Sequence, residues 1–442
     1  MSVLLQSPTK PRALRTVALH EIARHHSGNG KLIKGKLHSE PVDGLYPAFS
    51  ASGQDVWHTE YGYEGDAIIV SAVGARCGKC FIAQGRWSAI ANTHVVWPDP
   101  EKIELKYLWY LLNDEQFWIR SGSAQPFVST KKTFEKEIPL PSLDEQREIV
   151  AEIEKQFTRL EAGVVALKRV QVNLKRYRAA VLKAACEGKL VPTEASLAKA
   201  EGHSYETGEK LLQSILTERR KNWTGRGKYK EPTAPYTTNL PKLPEGWVWC
   251  MSDAVFSFIT SGSRGWAAYY SDNGSIFLRI GNLEHEDIRL DLQDIQYVEP
   301  PKGAEGTRTV VQPNDVLISI TADVGMVGLV PNGIGEAYIN QHVALARPLS
   351  CVNPAYIAYY LSASEGGWGR LKKLQRGATK VGLGLDDIRA VPVPLPPLSE
   401  QKRIVEEVER RLSVIEELEA SVSVNLQRAS RLRQSILQKA FN

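Results

Sequence analysis

Three clusters of residues have the types and spacing for catalysis or metal binding. Cys77-Gly-Lys-Cys80 has the spacing of half a zinc site or of a redox pair. Structural zinc takes four ligands, and no second Cys-x-x-Cys occurs, so His94 is the nearest third donor. A turn that happens to carry two cysteines is the expectation. Asn353-Pro354-Ala355-Tyr356 approaches the Asn-Pro-Pro-Tyr pattern with which amino-methyltransferases hold a flipped base. Here Ala355 replaces the second proline and no Gly-rich cofactor strand accompanies it, so a plain Asn-Pro helix start is expected. Pro98-Asp99 with Glu104-Leu105-Lys106 imitates a nuclease site. Its two acids sit close together where a loop runs into a helix, which does not let them converge on one magnesium. No Gly-x-x-x-x-Gly-Lys-Ser/Thr phosphate loop and no Gly-x-Gly-x-x-Gly turn is found. A single-chain methyltransferase or nuclease is therefore the weaker alternative.

Surface recognition is the remaining chemistry. Ser261-Gly-Ser-Arg264-Gly-Trp266 puts a guanidinium and an indole on a glycine loop. Arginine reads guanine or phosphate, and an aromatic ring can wedge or stack. Arg370, Lys372, Lys373, Arg376 and Lys380 form a basic stretch without an acid, and Arg279 lies upstream of it. Arg120, Lys131 and Lys132 give a weaker counterpart in the first half. Nucleic-acid contact is expected of all of these. His94 and His342 each follow an asparagine before an apolar strand and are set against each other as a matched pair.

These residues hang on an internal repeat. Residues 139–154, PLPSLDEQREIVAEIE, recur without a gap as 394–409, PLPPLSEQKRIVEEVE, and 177–187 lie over 432–442. Upstream of each copy a weaker likeness persists: GDAIIVSAVG with NDVLISITAD, NTHVVW with NQHVAL, YLWYLL with YIAYYL. Each repeated segment predicts a long helix, 144–187 and 399–442, with Asp144 and Ser399 as N-caps and Glu145 and Glu400 in the first turn. Ile153, Leu160, Leu167, Leu174 and Val181 recur at sevens, as do Val408, Ile415, Val422, Ala429 and Ile436. That is the stripe of a coiled coil, marred by Gln171, Arg178, Glu419 and Arg433. Short β-rich runs such as AIIVSAV and DVLISI, broken by turn residues, predict α/β-mixed units before each helix. A linker with one helix at 206–222 joins the halves.

Composition agrees with a folded chain of several units. The protein has 442 residues, 43% apolar and 24% charged, with a net charge of +5. So mild an excess permits a polyanionic partner only through local basic stretches. Five cysteines cannot be a disulfide framework, and no apolar run approaches a membrane span. A cytoplasmic location is expected.

On its two Pro-x-Pro…Glu-Gln segments, its LKAACEGKLVPT and LQKAFN helix ends, and its LPEGWVW, YPAFSASG, SGSRGW and FLRIGNL stretches, the chain resembles the specificity subunits of Type I restriction–modification systems. That resemblance implies an α+β architecture: two target recognition domains, 1–138 and 244–393, separated by two long antiparallel coiled-coil spacer helices, 139–190 and 394–442, with 191–243 as linker. It implies a non-catalytic subunit that reads a bipartite double-stranded DNA target, one half per domain. It implies two modification (methyltransferase) subunits and restriction/translocase subunits as partners. S-adenosylmethionine, ATP and magnesium would sit on those partners and none on this chain. Glu145, Gln146, Glu400 and Gln401, being duplicated, are expected to form the docking surfaces.

Overall fold

The computed structural model describes residues 15–441 except 115, 123–124, 224–226, 263, 286, 301–302 and 375–381. Two compact units emerge, one of residues 1–168 with 423–442 and one of 169–422.

In the first unit a four-stranded antiparallel sheet runs in the order Ala23–Ser27, Thr93–Pro98, Ala67–Ser71, Cys80–Ala83. The run Ala67–Ser71 is buried along its whole length. Side chains alternate across a strand, so Ile68 and Val70 enter one apolar cluster while Ala67 and Ile69 enter another. A strand walled on both faces reads as continuously apolar, which is why this one is visible in the sequence. A second sheet is ordered Gly53–His58, Tyr46–Ser50, Arg86–Ala89, Tyr63–Glu64, its middle pair being parallel. Thr16–Ala18 pairs with Glu137–Pro139 and closes the unit.

The second unit repeats the first sheet and the closing strand pair, but its second sheet carries the parallel pair at one end instead of in the middle. Phe256–Ser261, Val343–Pro348, Val316–Ser319 and Val327–Leu329 make the first sheet. Tyr270–Ser271, Gln296–Val298, Ser275–Leu278 and Ala337–Ile339 make the second, again with one parallel pair. Val248–Met251 pairs with Pro392–Leu395 as the closing lock. Val316 and Ile318 face one cluster and Leu317 the other.

Two helices of 44 residues, Leu143–Cys186 and Leu398–Phe441, follow the locks. Their caps lie two residues before the expected positions. Ser142 caps the first helix through a capping box: the Ser142 N–H and hydroxyl donate to Glu145 Oε2 at 2.9 and 2.8 Å. In the second helix Pro397 stands there, its carbonyl accepting from the Gln401 N–H. The stripe is buried at Val150, Ile153 and Phe157 in the first unit and at Val408, Leu412, Ile415 and Val422 in the second. Two of its polar interruptions find each other: Arg178 donates to Glu419 at 3.3 Å in the second unit. Arg433 pairs with Glu161 at 3.4 Å and lies over the Phe157 ring in the first. Within each unit the helix segments therefore run antiparallel. The linker helix is Gly208–Lys221, capped by Thr207. A further helix, Glu194–Glu201, lies outside the sequence expectation, although Thr193 and Gly202 are ordinary start and stop residues.

Candidate nucleic-acid interface

At one end of each four-stranded sheet, two turns are held together by the same backbone bonds. The Gly28 N–H donates to the Thr93 carbonyl at 2.8 Å, and the Gly262 N–H to the Val343 carbonyl at 3.1 Å. The Ala72 N–H donates to the Asn92 carbonyl, and the Ile320 N–H to the His342 carbonyl, both at 2.9 Å. This ladder corrects the sequence match: His342 stands where Asn92 stands, not where His94 stands. His94 lies two residues further into its strand, half-buried, with its Nδ1 unpartnered and its pKa pushed down to about 4 by burial, helped by His25 and His26. The segments NTHVVW and NQHVAL look alike only because both are polar starts of apolar strands.

The closeness of the turns demands glycine. A Cβ on Gly28 would sit 2.3 Å from the Ile90 carbonyl oxygen, and one on Gly262 would sit 2.0 Å from that of Asn340. Arg264, exposed, lies just beyond Gly262. His342 contacts Thr321 and Gln341, and Thr321 is bridged to Gly382, at the edge of the basic stretch. Sequence reading noted Asn340 only as the residue before a matched histidine, and missed Gln341 and Thr321. The shared Ser-Gly pair, 27–28 and 261–262, was the available signal.

Expected contact residues divide by burial. Lys131 and Lys132 are exposed on the short helix Thr130–Thr133, and Arg120 is exposed on a strand paired with Phe127–Val128. Lys372 and Lys373 are exposed, Lys372 with its ammonium 4.9 Å from the Trp368 ring. Arg279 faces Asp294 at 3.4 Å. Arg376 and Lys380 lie outside the described residues. Two expectations are corrected. Trp266 is 3% exposed, stacked on Phe277 and against Tyr338, so its indole fills a core and cannot stack on a base. Arg370 is half-buried over the Trp249 ring rather than displayed.

The duplicated polar residues at the helix starts are also corrected, because most of them face inward. Gln146 is fully buried: its Oε1 accepts from the Glu104 N–H at 2.8 Å, and its Nε2 donates to the Lys102 and Pro141 carbonyls. Gln401 does the same for the Asn353 N–H at 2.8 Å and the Pro396 carbonyl. Glu104 and Asn353 are the N-caps of the helices Leu105–Leu112 and Pro354–Ser362. Each glutamine thus bolts a long helix to its domain's own helix. That internal task accounts for the duplication without a partner. Glu400 is fully buried, accepting from the Glu194 N–H and the Trp247 indole N–H, both at 2.9 Å. Burial pushes its carboxyl up, against the pull of those two donors. Only Glu145 is exposed.

The suspected catalytic motifs resolve into packing. Asn353 Oδ1 accepts from the Ala355 and Tyr356 N–H groups as an ordinary cap, and the buried Tyr356 hydroxyl donates to the Pro394 carbonyl. Glu104 caps a helix while Asp99 pairs with Lys102 at 3.0 Å. Cys77 and Cys80 are buried free thiols, and Cys80 is held protonated by burial. Among the described residues, no group of three or more His, Cys, Asp or Glu side chains is placed to hold a metal. No helix among them is long and apolar enough to cross a membrane.

The family model of the Type I restriction modification DNA specificity domain matches residues 15–166 and 301–422, once in each half. The chain belongs to this family. It is 24% identical over 431 residues to the EcoDI specificity subunit of Escherichia coli, covering 93% of this chain and 86% of that one. It is 25% identical over 312 residues to the EcoBI specificity subunit of Escherichia coli, where the match spans 69% of this chain and only 57% of the relative. A chain solved for complex assembly and conformational transition of the type I R-M system superposes with a TM-score of 0.62 at 20% identity, covering 98% and 99% of the two chains. The HsdS subunit from Thermoanaerobacter tengcongensis gives 0.50 at 21% identity, covering 98% and 97%. Those structures share the fold. As a specificity-family member the chain is a DNA-binding protein of mixed α/β build, with long helices that fit a coiled coil.

Proposed function

We propose that this chain is the target-reading subunit of a Type I restriction–modification enzyme, with one half of a bipartite double-stranded target read by each sheet end. The observation that carries this reading is the pair of matched turns. Their backbone bonds are the same in both units, while the residues they display differ: Ala91-Asn92 in one, Gln341-His342 in the other. A shared scaffold with unlike tips is what two different half-sites require. The chain docks two modification subunits, with restriction subunits joining the assembly. Chemistry, with its S-adenosylmethionine, ATP and magnesium, belongs to those partners. The inward-facing Gln146, Gln401 and Glu400 move docking to outward neighbours. In the first unit an open apolar groove lined by Leu160, Val164, Leu167 and Leu432 supports docking along the helices.

Native mass spectrometry of the co-expressed complex is expected to show two modification subunits per chain, with a bipartite methylated motif in the host genome. A fully active one-to-one complex, or methyl transfer by the chain alone, overturns the assignment.

The exposed lysines are expected to act on phosphate. Replacing Lys131 and Lys132, or Lys372 and Lys373, by glutamine weakens binding to all sequences alike. It lowers the slope of log K against log salt by about 0.9 for each phosphate no longer neutralised. An unchanged slope makes them a solvated face.

A further inference from the structure

The geometry points to Gln341 as a base-reading, specificity-determining residue of the second domain, its amide set to pair with the major-groove edge of an adenine. This rests on the DNA-reading assignment above. Gln341 and His342 are half-buried in the turn before Val343–Pro348, beside the loop that carries exposed Arg264. His342 Nε2 lies 3.0 Å from Gln341 Nε2, and its Nδ1 lies 2.6 Å from Thr321 Oγ1. An amide nitrogen only donates, so the ring Nε2 accepts and the Nδ1–H donates to Thr321. The His342 backbone N–H is held by Asn340 Oδ1 at 3.0 Å. Ring and turn are thereby fixed from two sides.

This arrangement decides what the amide displays. One Gln341 N–H is taken by the imidazole. The other N–H and Oε1 make no further hydrogen bond among the described residues. One donor beside one acceptor matches adenine, which offers N7 as acceptor and N6–H as donor. The amide is pre-oriented before DNA arrives, which lowers the ordering cost of binding. Thr321 and His342 are positioning residues, acting through Gln341. In the first domain the corresponding turn carries Ala91 and Asn92. No amide is clamped there by a histidine among the described residues, so the device is confined to one half of the target.

The test uses the full chain in complex with its modification subunits. Double-stranded targets randomised through both half-sites are selected for binding and sequenced for wild type, Gln341→Ala, Gln341→Glu and Thr321→Val. The wild type is expected to prefer adenine at one position of the half-site read by the second domain. Gln341→Ala lowers that preference about 5- to 150-fold. The nearly isosteric Gln341→Glu preserves the fold and moves the preference to cytosine, whose N4 donates. Thr321→Val lowers the same preference in part, and all other positions keep theirs. A merely structural role for Thr321 would not single out one base. Adenine preference that survives both Gln341 substitutions in a complex with wild-type melting overturns the inference, as does an equal loss at every position. A wild-type complex without sequence preference overturns the DNA-reading assignment itself, and this inference with it.

Discussion

Gly262→Ala is expected to erase the second half of the target while the first half is still read, and Gly28→Ala to do the reverse. The added methyl at Gly262 meets backbone, 2.0 Å from the Asn340 oxygen and 2.2 Å from its carbonyl carbon. No rotamer change relieves that, so the two turns must part. Overpacking of this kind costs about 1–3 kcal/mol, occasionally more, in the domain concerned. At Gly28 the clash is with the Ile90 oxygen and Thr93 Oγ1, each at 2.3 Å. Gly30 has open space around its Cβ position, so Gly30→Ala is expected within about 0.5 kcal/mol of wild type. Thermal unfolding gives the cost, and methylome sequencing gives the surviving half of the motif. Loss of both halves together in either variant would show that the sheet ends do not read separately.

Glu400→Ala is the second large effect, and its repeat partner Glu145→Ala is the internal control. Removing the Glu400 carboxylate leaves the Glu194 N–H and the Trp247 indole N–H buried without acceptors. Each orphaned donor costs about 1–3 kcal/mol, so about 2–6 kcal/mol in all is expected. Glu145 closes an exposed capping box, and its loss costs about 1 kcal/mol. The two also differ in pH response. Burial raises the folded-state pKa of Glu400 above its unfolded value, so between those two values the folded chain holds the extra proton. Stability from this group is full below the unfolded pKa and is lost as pH rises through the raised one. Lowering pH from 7 toward 5 is therefore expected to favour wild type relative to Glu400→Gln, in denaturant titrations at each pH. Parallel curves for the two proteins would mean that Glu400 is not desolvated as described.

Periodic features were legible in the sequence, and features that depend on a partner distant in the chain were not. The heptads at Ile153 and Val408 and the run AIIVS announce their elements because burial repeats along them. Gln146 and Gln401 were visible as a duplicated pair, but duplication does not say which way a side chain faces. Only the fold places the Glu104 and Asn353 N–H groups against them. Trp266 beside Arg264 reads as a surface stacker, yet Phe277 and Tyr338 come from strands that local sequence does not bring to it. The match of His94 to His342 failed because residue likeness outvoted strand register by two positions. Gln341 went unremarked because a lone glutamine carries no local signal until His342, itself held by Thr321, meets it.

The strand locks at the base of each domain have one further consequence. Thr16 lies opposite Pro139, and Val248 opposite Leu395, so each domain leaves its frame almost where it enters. Closing such a loop grows dearer by only about 0.6 kcal/mol for each doubling of the enclosed chain. The locks are thus indifferent to how much sequence lies between, provided its two ends meet, whereas the helices also need the domain segments that Gln146 and Gln401 hold. On the function proposed above, genetic exchange with crossovers inside the paired strands is expected to change one half of the target in one event, provided the incoming domain keeps the helix starts at Glu104 or Asn353 that the frame holds.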